Sequence, residues 1–82
     1  MKCPVCDNNT FDDADFEYNI CPECFWEWDM IQVEEPDYAG GANRHCLRDY
    51  RKKYWEFKNE NPNFSCKNEE DKEKMLQFER QR

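Results

Sequence analysis

The sequence predicts a small α+β domain stapled by a metal ion: zinc-ribbon-like β-hairpins carrying two cysteine knuckles, followed by one amphipathic helix and a short C-terminal helix. Three observations predict it. Two C-x-x-C pairs, Cys3-Pro4-Val5-Cys6 and Cys21-Pro22-Glu23-Cys24, are separated by 14 residues. Residues 16–20 and 25–33 alternate apolar and polar side chains with the period of a strand. Beyond Asn43 the period changes, and Leu47, Tyr50, Tyr54 and Phe57 recur at spacings of three, four and three, the stripe of a helix packed on one face. At 82 residues the chain forms one domain. A domain of that size buries only about two-thirds of its unfolded surface, so a metal staple is physically useful.

The knuckles come first in the chain. Two thiolates three positions apart chelate one ion from a tight turn, and a second pair completes the tetrahedral sulfur shell of a closed structural zinc site. Cys3, Cys6, Cys21 and Cys24 are therefore the expected ligands and Zn²⁺ the expected ion. Proline at the second position of each knuckle fixes φ there and shapes the turn. Disulfides would be the alternative in a secreted chain. Met1-Lys2-Cys3 leaves no room for a signal peptide, which predicts a cytoplasmic protein with reduced thiols, Cys46 and Cys66 among them. A redox C-x-x-C of thioredoxin type needs a βαβ unit, and none fits. Four thiolates also accept iron, and an acidic rubredoxin-like electron carrier would have a similar composition. Asp7 and Phe25 follow the knuckles where a small residue would better admit the turn around a redox centre, which favours zinc.

The remaining elements follow in order. Residues 7–15 read as a turn-rich connector, and residues 16–20 as a strand delivering Cys21. Residues 25–33 continue as a strand with Trp26, Trp28 and Met30 on one face and Phe25, Glu27 and Asp29 on the other. The two tryptophans then cover the sheet or form a partly exposed patch. Residues 34–43 form a loop in which Pro36 stops the strand and Gly40-Gly41 permits a sharp reversal; its acidic setting does not suit a phosphate cradle. Asn43 or Cys46 caps a helix reaching Lys58, and His45 is a surface or capping residue. Residues 59–67 are a polar linker broken by Pro62 and anchored by Phe64. Asn68 caps a second helix from Glu69 to about Arg80, carrying Met75, Leu76 and Phe78 on a thin stripe prone to fraying. The chain thus divides into residues 1–58, a metal-binding part with its helix, and residues 59–82, a C-terminal part that belongs to the same unit or moves against it.

Charge decides between partners. The net charge of −7 is unevenly spread: Met1 to Asn43 sets one lysine against eleven acids, a balance of −10, whereas Arg44 to Lys58 carries +4 and the remainder −1. A zinc ion held by four thiolates adds about −2 to the first part. Such a module repels phosphates and suits a basic protein surface. The contact set this predicts is Asp12, Asp13, Asp15, Glu17, Glu34, Glu35 and Asp37, with Trp26 or Trp28 as anchors. The alternative is a nucleic-acid-binding helix using Arg44, Arg48, Arg51, Lys52 and Lys53. No apolar run approaches the ~20 residues of a membrane span. No nucleophile stands poised with a base and a closed four-sulfur site has no open position, so the chain does not read as an enzyme.

The segments Ile20-Cys21-Pro22-Glu23-Cys24-Phe25-Trp26-Glu27 and Asp37-Tyr38-Ala39-Gly40-Gly41-Ala42-Asn43, with the first knuckle, resemble the cysteine-rich CPCC family of small bacterial proteins over roughly the first 58 residues. The family's C-P-C-C reads Cys3-Pro4-Val5-Cys6 here and keeps the outer spacing. Cys46 stands where a serine helix cap is expected. The resemblance implies a small metal-binding fold, and proteins of this kind occur among bacterial toxin-immunity systems, so it implies a toxin as a possible partner class.

Overall fold

Asp29 decides how the N-terminal half of the chain is built. Its carboxylate accepts hydrogen bonds from the N–H groups of Ile31 at 2.9 Å and Gln32 at 3.4 Å. It therefore caps a helix where the alternation suggested that a strand would continue. In the computed structural model, which describes residues 1–81, this is α1 (Met30–Glu34). It is followed by α2 (Leu47–Glu60) and α3 (Glu69–Arg80).

Zinc-ribbon β-hairpins are not present. Among the described residues, strand pairing is limited to the isolated bridges Lys2↔Asn9 and Ile20↔Glu27. The reason is local: Asp7, Tyr18 and Phe25 have φ of 64°, 61° and 65°, and each left-handed residue bends the chain before a ladder can extend. Two backbone bonds flank the second bridge, Trp28 N–H to Asn19 O and Cys21 N–H to Trp26 O, both 2.9 Å. The expected sheet faces change accordingly. Trp26 and Trp28 lie in the core, but Met30 is exposed and Asp29 is buried.

The core is one cluster. It joins the knuckle cysteines and Val5 to Phe11, Trp26, Trp28, Leu47, Tyr50, Tyr54, Phe64, Cys66 and Met75. Trp28 sits between Phe11 and Phe16, each edge-on at 5.1 Å, and meets Trp26 at 5.9 Å. Such contacts add to area burial by about 0.5–1.5 kcal/mol each. Burial removes both tryptophans from the set of surface anchors that charge and composition suggested.

Cys46, not Asn43, caps α2: its sulfur accepts from Asp49 N–H at 3.4 Å. The helix buries Leu47, Tyr50 and Tyr54 of the expected stripe, with Phe57 half-buried, and continues to Glu60, so residues 59 and 60 are helical where a linker was expected. Phe64 is buried, and Asn68 caps α3 by accepting from Glu70 N–H at 2.9 Å. Near its C-terminus α3 is tied to the start of α2. Glu79 accepts from the N–H groups of Arg44 and His45 and meets His45 Nδ1 at 2.9 Å, while Phe78 stacks on the His45 ring at 4.0 Å. His45 is thus a clamp between helices. No helix among the described residues is long and apolar enough to cross a membrane.

Between α1 and α2 the chain is held by a buried polar network. Gln32 Nε2 donates to the carbonyls of Tyr38, Asn43 and His45, and its Oε1 accepts from Asn43 Nδ2 at 2.9 Å. Asn43 in turn bonds both the N–H and the C=O of Glu27. Buried amides that fill their bonding capacity fix a single loop path. The two glycines differ in role. Gly40 adopts φ +90°, whereas Gly41 lies so close to Asp29 and Gln32 that an added Cβ would overlap Asp29 Oδ2 and approach Gln32 Cδ at 3.2 Å. Gly41→Ala should therefore destabilise by about 1–3 kcal/mol through overpacking. Gly40→Ala should cost about 1–2 kcal/mol through backbone strain alone. Urea unfolding of both variants checks the two losses, and an alanine tolerated at 41 without loss would contradict the close approach.

Candidate metal centre

Each knuckle is the same turn built twice. In the first, Asp7 N–H donates to Cys3 O at 3.0 Å; in the second, Phe25 N–H donates to Cys21 O at 2.8 Å. Closing these turns places Asp7 and Phe25 in the left-handed region. A side chain there costs about 1–2 kcal/mol, yet both positions carry one. Bulky residues after the knuckles thus do not prevent the turn, and the preference for zinc over iron drawn from their size has no structural basis.

The turns bring four buried sulfurs together. Cys3 Sγ lies 3.5 Å from Cys24 Sγ, Cys6 Sγ lies 3.7 Å from Cys21 Sγ, and all four ligand atoms fall within 4.8 Å of one another. Sulfurs about 2.3 Å from a central ion form a tetrahedron with edges of about 3.8 Å, so the spacing fits a four-coordinate ion. It does not fit disulfides: bonded sulfurs are about 2.05 Å apart, and all six cysteines are free. Only four of them converge. Cys46 caps α2, and Cys66 belongs to the core, where burial pushes its thiol up to about 12 and so keeps it protonated and inert.

The electrostatics of the cluster call for a cation. Burial pushes the Cys24 thiol up, while hydrogen bonds from Cys24 and then Cys3 pull the Cys21 thiol down. Without a metal the sulfurs must share protons, because four thiolates this close repel one another in a weakly screened interior. A dication removes the conflict. Thr10 Oγ1 lies 3.0 Å from Cys21 Sγ and Val5 N–H donates to Cys3 Sγ at 3.4 Å, the type of outer bond that orients ligands and lowers sulfur basicity.

Helix α2 holds the knuckles in place. Arg51 Nη1 donates to the carbonyls of Pro4 and Val5, both at 2.9 Å, and its guanidinium also forks onto Asp7 at 2.8 and 2.9 Å. Trp55 Nε1, one turn on, donates to the same Val5 carbonyl at 2.9 Å. The second knuckle is held by Tyr50 Oη on Cys24 O at 2.8 Å and by Cys66 N–H on Glu23 O at 2.9 Å. None of these supporting residues was identified from the sequence. The i, i+4 placement of Arg51 and Trp55 is visible there, but what they touch is not.

The acidic residues proposed for partner contacts lie at the surface. Asp12, Asp13, Asp15, Glu17, Glu34, Glu35 and Asp37 are all exposed. Asp37 pairs with Arg48 at 2.6 Å, and Asp13 with the terminal amine at 2.8 Å. Of the basic set, Arg51 is committed to the knuckle, Arg44 reaches Arg80 O at 3.2 Å, and Lys53 lies near Glu56 at 3.6 Å. Arg48, Lys52, Arg51 and Trp55 line a shallow groove on α2.

Two tyrosines of α2 separate hydrogen bonding from packing. Tyr50 gives its hydroxyl to the knuckle, while the buried Tyr54 hydroxyl has no partner. Tyr50→Phe should lower stability by about 1–2 kcal/mol, and Tyr54→Phe should leave it unchanged or raise it. Thermal unfolding of the two variants checks this, with the reversed order as the contrary result.

A search of curated proteins finds no match. A family model described as cysteine-rich CPCC matches residues 1–74, well beyond the first 58 residues and into α3. The match takes in both knuckles, α1, the buried loop network and α2, and the chain belongs to the cysteine-rich CPCC family.

Proposed function

We propose that the chain is a small acidic zinc-binding module that docks on a basic protein, such as a bacterial toxin nuclease that it neutralises. Four buried sulfurs at tetrahedral spacing support a closed structural metal site with no position left for substrate; such a shell takes zinc or iron, and zinc is the ion proposed. The ion's role is then to hold the fold, and the reading is non-catalytic.

One observation carries the choice of partner. One cation of α2 is used inside the molecule, while most of the acids face outward. Arg51 is spent on Asp7 and two knuckle carbonyls, whereas Asp15, Glu17, Glu34 and Glu35 make no ion pair among the described residues. An acidic surface of this kind accelerates encounter with a basic partner and disfavours polyanions. Nucleic-acid binding through α2 draws less support, because Arg48 is already paired with Asp37.

Two measurements test the reading. Elemental analysis of purified protein should find one zinc per chain, and a strong chelator should unfold it, since a structural metal contributes folding free energy directly. Cys21→Ser should mimic the chelator; a folded metal-free protein, or a visibly coloured one, would count against zinc. Replacing Glu17, Glu34 and Glu35 by lysine should abolish inhibition of a basic nuclease co-purified from the native host and remove its salt dependence. Unchanged inhibition would sink the partner assignment, and a gel shift with DNA or RNA at low salt would favour the helix instead.

A further inference from the structure

The exposed large apolar side chains fall in one stretch. Tyr18, 65% exposed, Ile31, 53% exposed, and the less exposed Ile20, Met30 and Tyr38 all lie within residues 18–38, which contain six carboxylates and no lysine or arginine. Isolated surface hydrophobics are ordinary, but a set confined to one region and rimmed by one sign of charge marks a contact surface.

The backbone brings them together. The Ile20↔Glu27 bridge and the bond from Tyr18 N–H to Trp28 O, 3.1 Å, lay the segment carrying Tyr18 and Ile20 along the run that enters α1. Met30 and Ile31 form the first turn of that helix. Tyr38 follows its end, with N–H bonded to Glu35 O at 2.9 Å and its C=O held by Gln32. Alternation explains the exposure: Trp26 and Trp28 fill the core, so the side chain of Ile20, paired opposite Glu27, projects outward. Tyr18 stands at the third position of the turn closed by Asn19 N–H to Phe16 O at 3.1 Å, and its φ of 61° belongs to that turn while its ring lies in solvent.

We propose that this ridge docks a cationic amphipathic protein segment. Its apolar side chains cover Tyr18, Ile20, Met30, Ile31 and Tyr38, and its lysines or arginines reach Asp15, Glu17, Glu34 and Glu35. The inference rests on the acidic-surface reading and deepens it by supplying anchors in place of Trp26 and Trp28. Charge selects the occupant: a second copy would bring its own carboxylate rim against this one, whereas a basic segment neutralises the rim as the apolar area is buried.

The test uses a synthetic amphipathic helix of about 18 residues made of leucine and lysine, beside a scrambled peptide of equal composition. The amphipathic peptide should bind the zinc-loaded protein and shift the amide resonances of residues 18–20, 30, 31 and 38, while the scrambled peptide binds more weakly. Combining Tyr18→Asn, Ile20→Ser and Ile31→Ser should weaken binding at least about tenfold with metal content and circular dichroism unchanged; all three sites are exposed, and asparagine tolerates the left-handed backbone. Equal affinity of that variant, or shifts confined to α2, overturns the docking surface. If the apolar variant binds normally but Glu17→Gln, Glu34→Gln and Glu35→Gln together abolish binding, the acidic reading stands without these anchors. If neither variant weakens binding, both fail. A wild-type dimer in sedimentation that the apolar variant dissociates overturns the choice of partner in favour of a second copy.

Discussion

Four sulfurs confined within 4.8 Å are the constraint on which the rest of this fold depends. Two turns from opposite ends of a 22-residue stretch, Cys3 to Cys24, must present their thiols to a common centre. Each turn alone has few contacts and a left-handed residue at its end. What supports them is hydrogen bonding to their carbonyls, from Arg51 and Trp55 on one side and Tyr50 and Cys66 on the other. The metal would supply the central attraction, and α2 the separation at which that attraction acts.

A second constraint operates in the chain that leads into α2. The chain must cross from the knuckles to the helix through a loop of charged and polar residues, and it does so over two buried amides, Gln32 and Asn43. The side-chain amide nitrogen of Gln32 donates only to carbonyls, and Asn43 reaches across to Glu27 as a strand neighbour would. The pair substitutes for the sheet that is absent there. It also explains Gly41, since a loop wrapped this closely around Asp29 and Gln32 leaves no room for a Cβ.

Parts of this were legible in the sequence because their signals are local. C-x-x-C spacing points to sulfur convergence; the stripe from Leu47 to Phe57 and the Asn68 cap place two of the three helices. Helix α1 was not legible. Five residues are too few to display a helical period, and Asp29 reads as one more acid until its carboxylate is seen accepting from Ile31 and Gln32. Alternation correctly grouped Trp26 with Trp28 but not which way they face, because periodicity separates faces without assigning either to the core. The same limit applies to charge. Arg48 and Arg51 look alike along α2, yet one forms an exposed pair and the other is buried in part against the first knuckle.

That difference between two arginines bears on how the molecule presents itself. An exposed pair such as Arg48–Asp37 contributes at most about 1 kcal/mol and opens readily in salt. Arg51, bonded to two backbone carbonyls as well as Asp7, is bound by geometry that screening does not release. Removing it would leave knuckle carbonyls short of partners and the anionic sulfur cluster without a guanidinium bonded to its first knuckle. The cationic helix therefore reads first as an internal counterweight to the metal centre. With Arg51 committed to Asp7 and the first knuckle, the charge left for other molecules to meet is mainly negative, and the side chains that interrupt it between residues 18 and 38 are apolar.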